Sequence, residues 1–337
     1  MTVEELHAAF REGRLSPGEA AQLTAATLTA RNASGNTPLH SAAKYGSLNS
    51  LNPNILTREN LLLKNDSGYT PLHHAAFGGH LGQIPPVIID RDALLTRSNL
   101  GYTVFHIAAG QGHLAHIPTA LITPEIVQTK TDLGNTLLHE AAENGTLDKF
   151  PAQYVAPDLL SIANASGETV FHVAALNGNL GQIPTQLLTQ EALFSKTGAG
   201  DTVIHAAALA GRLEQIPASI LTHANLTVAS KSGYTVIHAA AETGQLSKIP
   251  EAELTRDLLL TRNDHGDTPL HAAAFEGHLN QIPLALLNEQ TLNIRNYDGV
   301  TPLRTAVSRG FIEQIPVAFR PKPPGAIKRL MQRFGFR

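Results

Sequence analysis

The sequence predicts an all-α solenoid of about ten stacked helix-turn-helix units, joined by short loops and β-turns. Three observations predict it. A histidine recurs every 33 residues without an insertion, at His40, His73, His106, His139, His172, His205, His238 and His271. Around each of them glycine stands five residues before and six after, and threonine three before. Aromatic residues make up only 5% of a chain that is 42% hydrophobic and has no tryptophan, which favours thin layers of alanine and leucine over one thick core. Self-similarity at a fixed period of this length is the signature of a stacked-repeat architecture.

The units can be justified in order along the chain. Residues 1–33 read as an N-terminal capping unit: His7, Gly13, Leu15, Leu23, Thr24 and Leu28 stay on the 33-residue grid, while the Gly-x-Thr loop is missing. Stacked units expose an apolar face at each end and need such caps. Residues 34–319 carry the regular units, with Arg304 in the last anchor place. In each, Gly-x-Thr opens a helix, because glycine permits a left-handed turn and threonine is a good N-cap. The residue before each anchor is large and apolar, from Leu39 to Leu303, and two small residues follow, as with Ala75 and Ala76. The glycine six residues on ends the helix.

These residues carry a resemblance. "GYTPLHHAAFGGHL" (68–81) and "GDTPLHAAAFEGHL" (266–279) resemble the ankyrin repeat, whose signature is T-P-L-H-x-A at a 33-residue period. The resemblance covers roughly residues 2–319, although only the units of His40, His73 and His271 keep Thr-Pro-Leu-His in full. It implies a second, antiparallel helix in each unit. Here that stretch is interrupted by Pro85, Pro118, Pro151, Pro184, Pro217, Pro250, Pro283 and Pro316. Proline is tolerated at the first helical position and drives its predecessor away from α geometry. The expectation is a variant repeat in which Ile-Pro delays and shortens the second helix. Patterns such as "LTRENLL" (56–62) then add a threonine-capped turn.

At the far end "RPKPPG" (320–325) stops the pattern, and "AIKRLMQRFGFR" places Ile327, Leu330, Met331 and Phe334 on one helical face. Residues 320–337 therefore read as a basic C-terminal capping helix or tail, and membrane contact is possible only through them. They hold Arg320, Lys322, Lys328, Arg329, Arg333 and Arg337 and no acid, so the formal charge of −3 divides into +6 there and −9 over residues 1–319. An acidic body argues against nucleic-acid binding, which draws on phosphate neutralisation. The chain has no cysteine, which excludes disulfides and thiolate chemistry. No signal-like or membrane-spanning run is seen, so a cytoplasmic monomer is expected.

Sixteen histidines invite a metal or a catalytic base. Anchors 33 residues apart fall in successive layers, about 8–10 Å apart, whereas zinc holds its ligands at about 2 Å. The resemblance instead implies that these histidines bond within and between loops. His113 with His116, and His73 with His74, are the only local pairs weighed as ligands, and neither is favoured. No phosphate loop, nucleophile elbow or H-E-x-x-H is present. No catalytic residue, cofactor or metal is assigned.

In the ankyrin family the concave face is built from loop tips and the exposed side of the first helix. Carried over residue by residue, those positions lie seven, six and four before the anchor and four and five after it. They place Tyr45, Tyr69, Phe77, Tyr102, Glu143, Glu168, Asp201, Tyr234, Glu242, Asp267, Phe275 and Tyr297 on the expected partner-binding face. Five of the six tyrosines are among them, and aromatics are typical interface anchors. The function so implied is a non-catalytic scaffold binding a protein partner through that face. An effector or inhibitor that occludes its partner, or a membrane-associated adaptor acting through 320–337, stands as the alternative. Tyrosines that merely cover neighbouring turns are the structural counter-reading.

Overall fold

A computed structural model describes residues 1–320. The expected cap or tail lies outside the described residues apart from Arg320, whose guanidinium is 2.8 Å from the Glu313 carboxylate. The chain divides into two compact units, Met1–Gly198 and the part from Ala199 onward. Among the described residues both are helical; there is no strand, only isolated bridges such as Arg97 with Thr103.

In the first unit, Val3–Glu12 is followed by the recurring helices Pro38–Lys44, Pro71–Gly78, Val104–Gly110, Leu137–Asn144 and Val170–Leu176. The second unit has Val203–Leu209, Val236–Glu242, Pro269–Glu276 and Pro302–Ser308. Within each unit successive helices of this set pack side by side. The small residues after each anchor make the approach close: Ala42, Ala43, Ala75, Ala207 and Ala240 are fully buried. Phe105 and Phe171 are the bulkiest of the fully buried side chains.

The loop before each helix explains its glycine. Asn65 Oδ1 accepts the Ser67 and Tyr69 N–H groups, and Gly68 takes φ 80° so that its N–H reaches the Asn65 carbonyl at 2.9 Å. A Cβ at Gly68 would lie 2.6 Å from the Asn99 nitrogen, so the next turn also demands glycine there. Consecutive turns are joined by one backbone bond each, such as Asn99 N–H to Ser67 O at 3.0 Å and Asp264 N–H to Ser232 O at 3.1 Å.

The second α-helix does not form. Two 3₁₀ turns take its place, Leu81–Gln83 and Pro86–Ile88 in one unit and Leu279–Gln281 and Leu284–Leu286 in another. Ile-Pro is the extended joint between them: Ile84 has ψ 135° and Pro85 has φ −52° and ψ 128°. Proline lacks the N–H that would continue a helix and pushes its predecessor to extended geometry. That geometry turns the isoleucine inward, and Ile84, Ile183, Ile282 and Ile315 are buried. Proline thus heads the second turn, its carbonyl accepting the Ile88 N–H at 2.9 Å, and aims a core residue; that turn is 3₁₀, where sequence reasoning expects a short α-helix. The threonine-capped turn that follows is present: Thr57 Oγ1 accepts from Asn60 N–H at the start of Arg58–Leu61, and Thr255 does the same for Arg256–Leu259.

Candidate functional site

The anchor histidines connect each helix to the next loop. In every regular unit the threonine N–H donates to the histidine Nδ1, as Thr37 does to His40 at 3.0 Å and Thr235 to His238 at 3.3 Å. The Nδ1 lone pair is therefore used, and the proton resides on Nε2. Nε2 donates to the carbonyl of a residue in the following turn: Tyr69 for His40, Tyr102 for His73, Glu168 for His139, Tyr234 for His205, Asp267 for His238 and Val300 for His271, at 3.0–3.2 Å. His106 reaches both Asn135 O and Thr129 O. Burial holds His40, His73, His106, His139 and His238 down at about 4. His7 keeps the anchor role in degraded form, with Nε2 3.3 Å from the Asn36 carbonyl.

Those carbonyls belong to the residues four before the next anchor, so their side chains emerge beside the helix that follows. Two cavities open there, one in each unit. Lys44, Tyr69, His73, His74, Phe77 and Ile107 line the first, of about 300 Å³. Moving each of these six residues forward by six 33-residue periods gives Glu242, Asp267, His271, Ala272, Phe275 and Thr305, and all six line the second cavity, of about 360 Å³. Tyr234, His238, Asn263, Glu276, Asn296 and Val300 complete its walls. One architectural slot thus occurs twice with different chemistry.

The residues expected on the binding face are distributed as follows. Tyr69 and Phe77 meet in the first cavity; Tyr234, Glu242, Asp267 and Phe275 meet in the second. The Tyr234 hydroxyl donates to the Glu242 carboxylate, and burial followed by that carboxylate pushes the phenol well above its ordinary range. Tyr102 is half-buried, edge-on to His106, and raised to about 12 by burial and by Glu140 and Glu143. Tyr45 and Glu143 are exposed. The Glu168 carboxylate accepts from Asn164 at 2.9 Å and is tied to its own turn, and Asp201 is half-buried. Tyr297 lies against Gly266, covering the preceding turn with its ring while staying 72% exposed. Large apolar side chains are also exposed at the same grid positions at Leu100, Leu133, Leu176 and Leu209.

Sequence reasoning treated the position just after the anchor as framework, weighing His74 only as a metal ligand beside His73 and passing over Glu140. His74 and Glu140 stand there, both largely buried and both titratable. Burial, helped by His40 and Lys44, lowers His74 to about 3. Burial raises Glu140 to about 7 despite its bond from Asn135 at 3.1 Å. The signal was available: this position varies from Ser41 through Ile107 to Thr305, as freely as those chosen.

A family model described as the ankyrin repeat matches residues 265–297. Comparison with curated proteins found no match. No helix among the described residues is long and apolar enough to cross a membrane.

Proposed function

We propose that the chain is a non-catalytic scaffold that binds a protein partner on the face made by its loop tips and first helices. Ankyrin repeats are interaction modules, and one stretch of this chain matches their family model. The observation that carries the reading is where apolar surface is left uncovered. Tyr45, Phe77, Leu100, Leu133, Leu176, Leu209, Phe275 and Tyr297 are exposed, and all lie seven or six before an anchor, or four or five after one. The histidine and glycine contacts that join the layers do not use these side chains, although Tyr297 also covers a turn and Phe77 and Phe275 carry Lys44 and Arg309. These are eight of the thirteen large apolar side chains exposed among the described residues, and exposure repeated at equivalent positions supports an interaction surface within each compact unit.

On this reading residues 34–319 form the repeat array, residues 1–33 its N-terminal cap, and the twelve residues first singled out contribute to the partner contact. Affinity capture from source-cell lysate tests it, comparing the unchanged chain with a Tyr69→Ala, Tyr102→Ala, Tyr234→Ala variant and a Val87→Ser, Leu284→Ser control. The control removes apolar groups that are 85% and 74% exposed on the proline-following turns. With all three folded by circular dichroism, a partner lost only by the tyrosine variant supports the reading. Equal capture by all three overturns it.

A further inference from the structure

The second cavity differs from its twin in charge. In the first, the Lys44 ammonium lies 4.7 Å from the Phe77 ring centroid, so the chain itself supplies a cation against the aromatic wall. In the second, Phe275 keeps the ring, but Glu242 replaces Lys44 and Asp267 replaces Tyr69. Ala272 and Thr305, in place of His74 and Ile107, also remove bulk. No Lys or Arg is among the described residues that line it. Each ring already carries a cation of the chain, Lys44 on Phe77 and Arg309 on Phe275, but only the second slot also holds two carboxylates, where the first has Lys44 and Tyr69.

Both carboxylates have capacity to spare. Glu242 accepts from the Tyr234 hydroxyl, and Asp267 Oδ1 accepts from Asn296 Nδ2 at 2.7 Å. An ionised carboxylate offers about four acceptor sites. Neither carboxylate is in an ion pair among the described residues. The neighbouring histidines bring no positive charge: on His238 and His271 the Thr235 and Thr268 N–H groups occupy Nδ1. Arg309, at the rim, has its guanidinium 3.9 Å from the Phe275 centroid, its Nε–H on the Phe275 carbonyl and Nη2 4.0 Å from Glu276. It pairs with Glu276 and makes no ion pair with Glu242 or Asp267; Arg262 bonds the Gly266 carbonyl instead.

We propose that this cavity is a socket for one arginine side chain presented by a peptide segment of the partner. The guanidinium lies between the Glu242 and Asp267 carboxylates, and the aliphatic stem runs along Tyr234 and Val300. Arginine is preferred to lysine because its planar fork bonds carboxylates bidentately and packs flat on aromatic rings. The inference rests on the protein-binding reading and names the chemistry that one part of the face selects.

The test is methyl NMR on the full chain labelled at alanine and valine, which reports on Ala272 and Val300 inside the cavity. It is titrated with acetyl-Ala-Arg-Ala-amide and with the same peptide carrying citrulline, an uncharged isostere. The arginine peptide is expected to shift both methyls saturably, and the citrulline peptide to bind at least about tenfold more weakly. Glu242→Gln with Asp267→Asn keeps both internal hydrogen bonds and should abolish the preference while the rest of the spectrum overlays. Equal response to the two peptides, or a preference that survives the double variant, overturns the socket. Methyls that ignore both peptides also overturn it; if they then shift on removal of residues 321–337, the occupant is the chain's own basic segment. A partner still lost by the tyrosine variant, with a cavity indifferent to arginine, would keep the binding face and discard only the socket.

Discussion

Lowering the pH from 7.5 to 5.5 should destabilise the first unit. Four of its anchors, His40, His73, His106 and His139, are held at about 4 when folded, against an ordinary 6.5. The cause is geometric as well as dielectric: a proton on Nδ1 would face the threonine N–H that now donates to it, as at Thr70 and His73, 3.1 Å apart. A histidine whose folded pKa is depressed stabilises the fold above its unfolded value, and that stability is lost as the pH falls from 6.5 toward 4. One pH unit below the unfolded value costs about 1.3 kcal/mol per histidine, or about 5 kcal/mol for four. Glu140 works the other way. Its carboxyl is raised to about 7, so it penalises the fold at neutral pH, and acidification relieves about 2 kcal/mol of that penalty. His74, lowered to about 3 in the same unit, adds a fifth such histidine, so the net loss is about 5 kcal/mol. Urea unfolding followed by far-UV circular dichroism would register it as a midpoint lower by about 2 M. A midpoint that is unchanged or higher at pH 5.5 would refute the neutral, Nε2-protonated ladder.

Glu140→Gln keeps the bond from Asn135 and removes the buried charge, so it should stabilise the chain by about 1–3 kcal/mol at pH 8 and by nothing measurable at pH 4.5; urea midpoints at the two pH values check this. Gly134→Ala forces a side chain onto φ 80° and brings a Cβ to 2.7 Å from the Ala165 nitrogen, at a cost of about 2–4 kcal/mol measurable by the same unfolding assay. Phe171→Ala empties a fully buried site and should cost about 3–5 kcal/mol, with a lower thermal midpoint. Pro118→Ala should cost no more than about 1 kcal/mol and add no helical ellipticity, because Ile117 is already held extended by its buried side chain; a clear gain in helix would show that proline alone prevents the second helix.

The 33-residue period, the threonine caps, the glycine turns and the structural role of the histidines were all legible, because each repeats in every unit and noise does not. The 3₁₀ character of the second half was not. Ile-Pro is compatible both with the first turn of a helix and with an extended joint, and the choice depends on whether the isoleucine has a core to enter. Of the candidate face, the residues four before and four after each anchor were readable from their variation on a fixed frame. Glu140 escaped because a residue beside two alanines in a short helix reads as packing, and His74 was weighed only as a metal ligand. The charge reversal between the two cavities was written in the sequence as well, but only the structure shows which six positions share a slot. Residues 321–337 lie outside what the structure describes.

Each anchor histidine grips a main-chain carbonyl, an atom that every amino acid brings. Asn135, Tyr69, Glu168, Asp267 and Val300 all sit under the same contact, although their side chains have nothing in common. Folding and recognition are thereby assigned to different atoms of one residue. A lineage carrying this chain can rewrite its specificity at these places without losing the histidine's grip, although Asn36, Asn135 and Asp267 also accept a side-chain bond from the next turn and a change there would forfeit it.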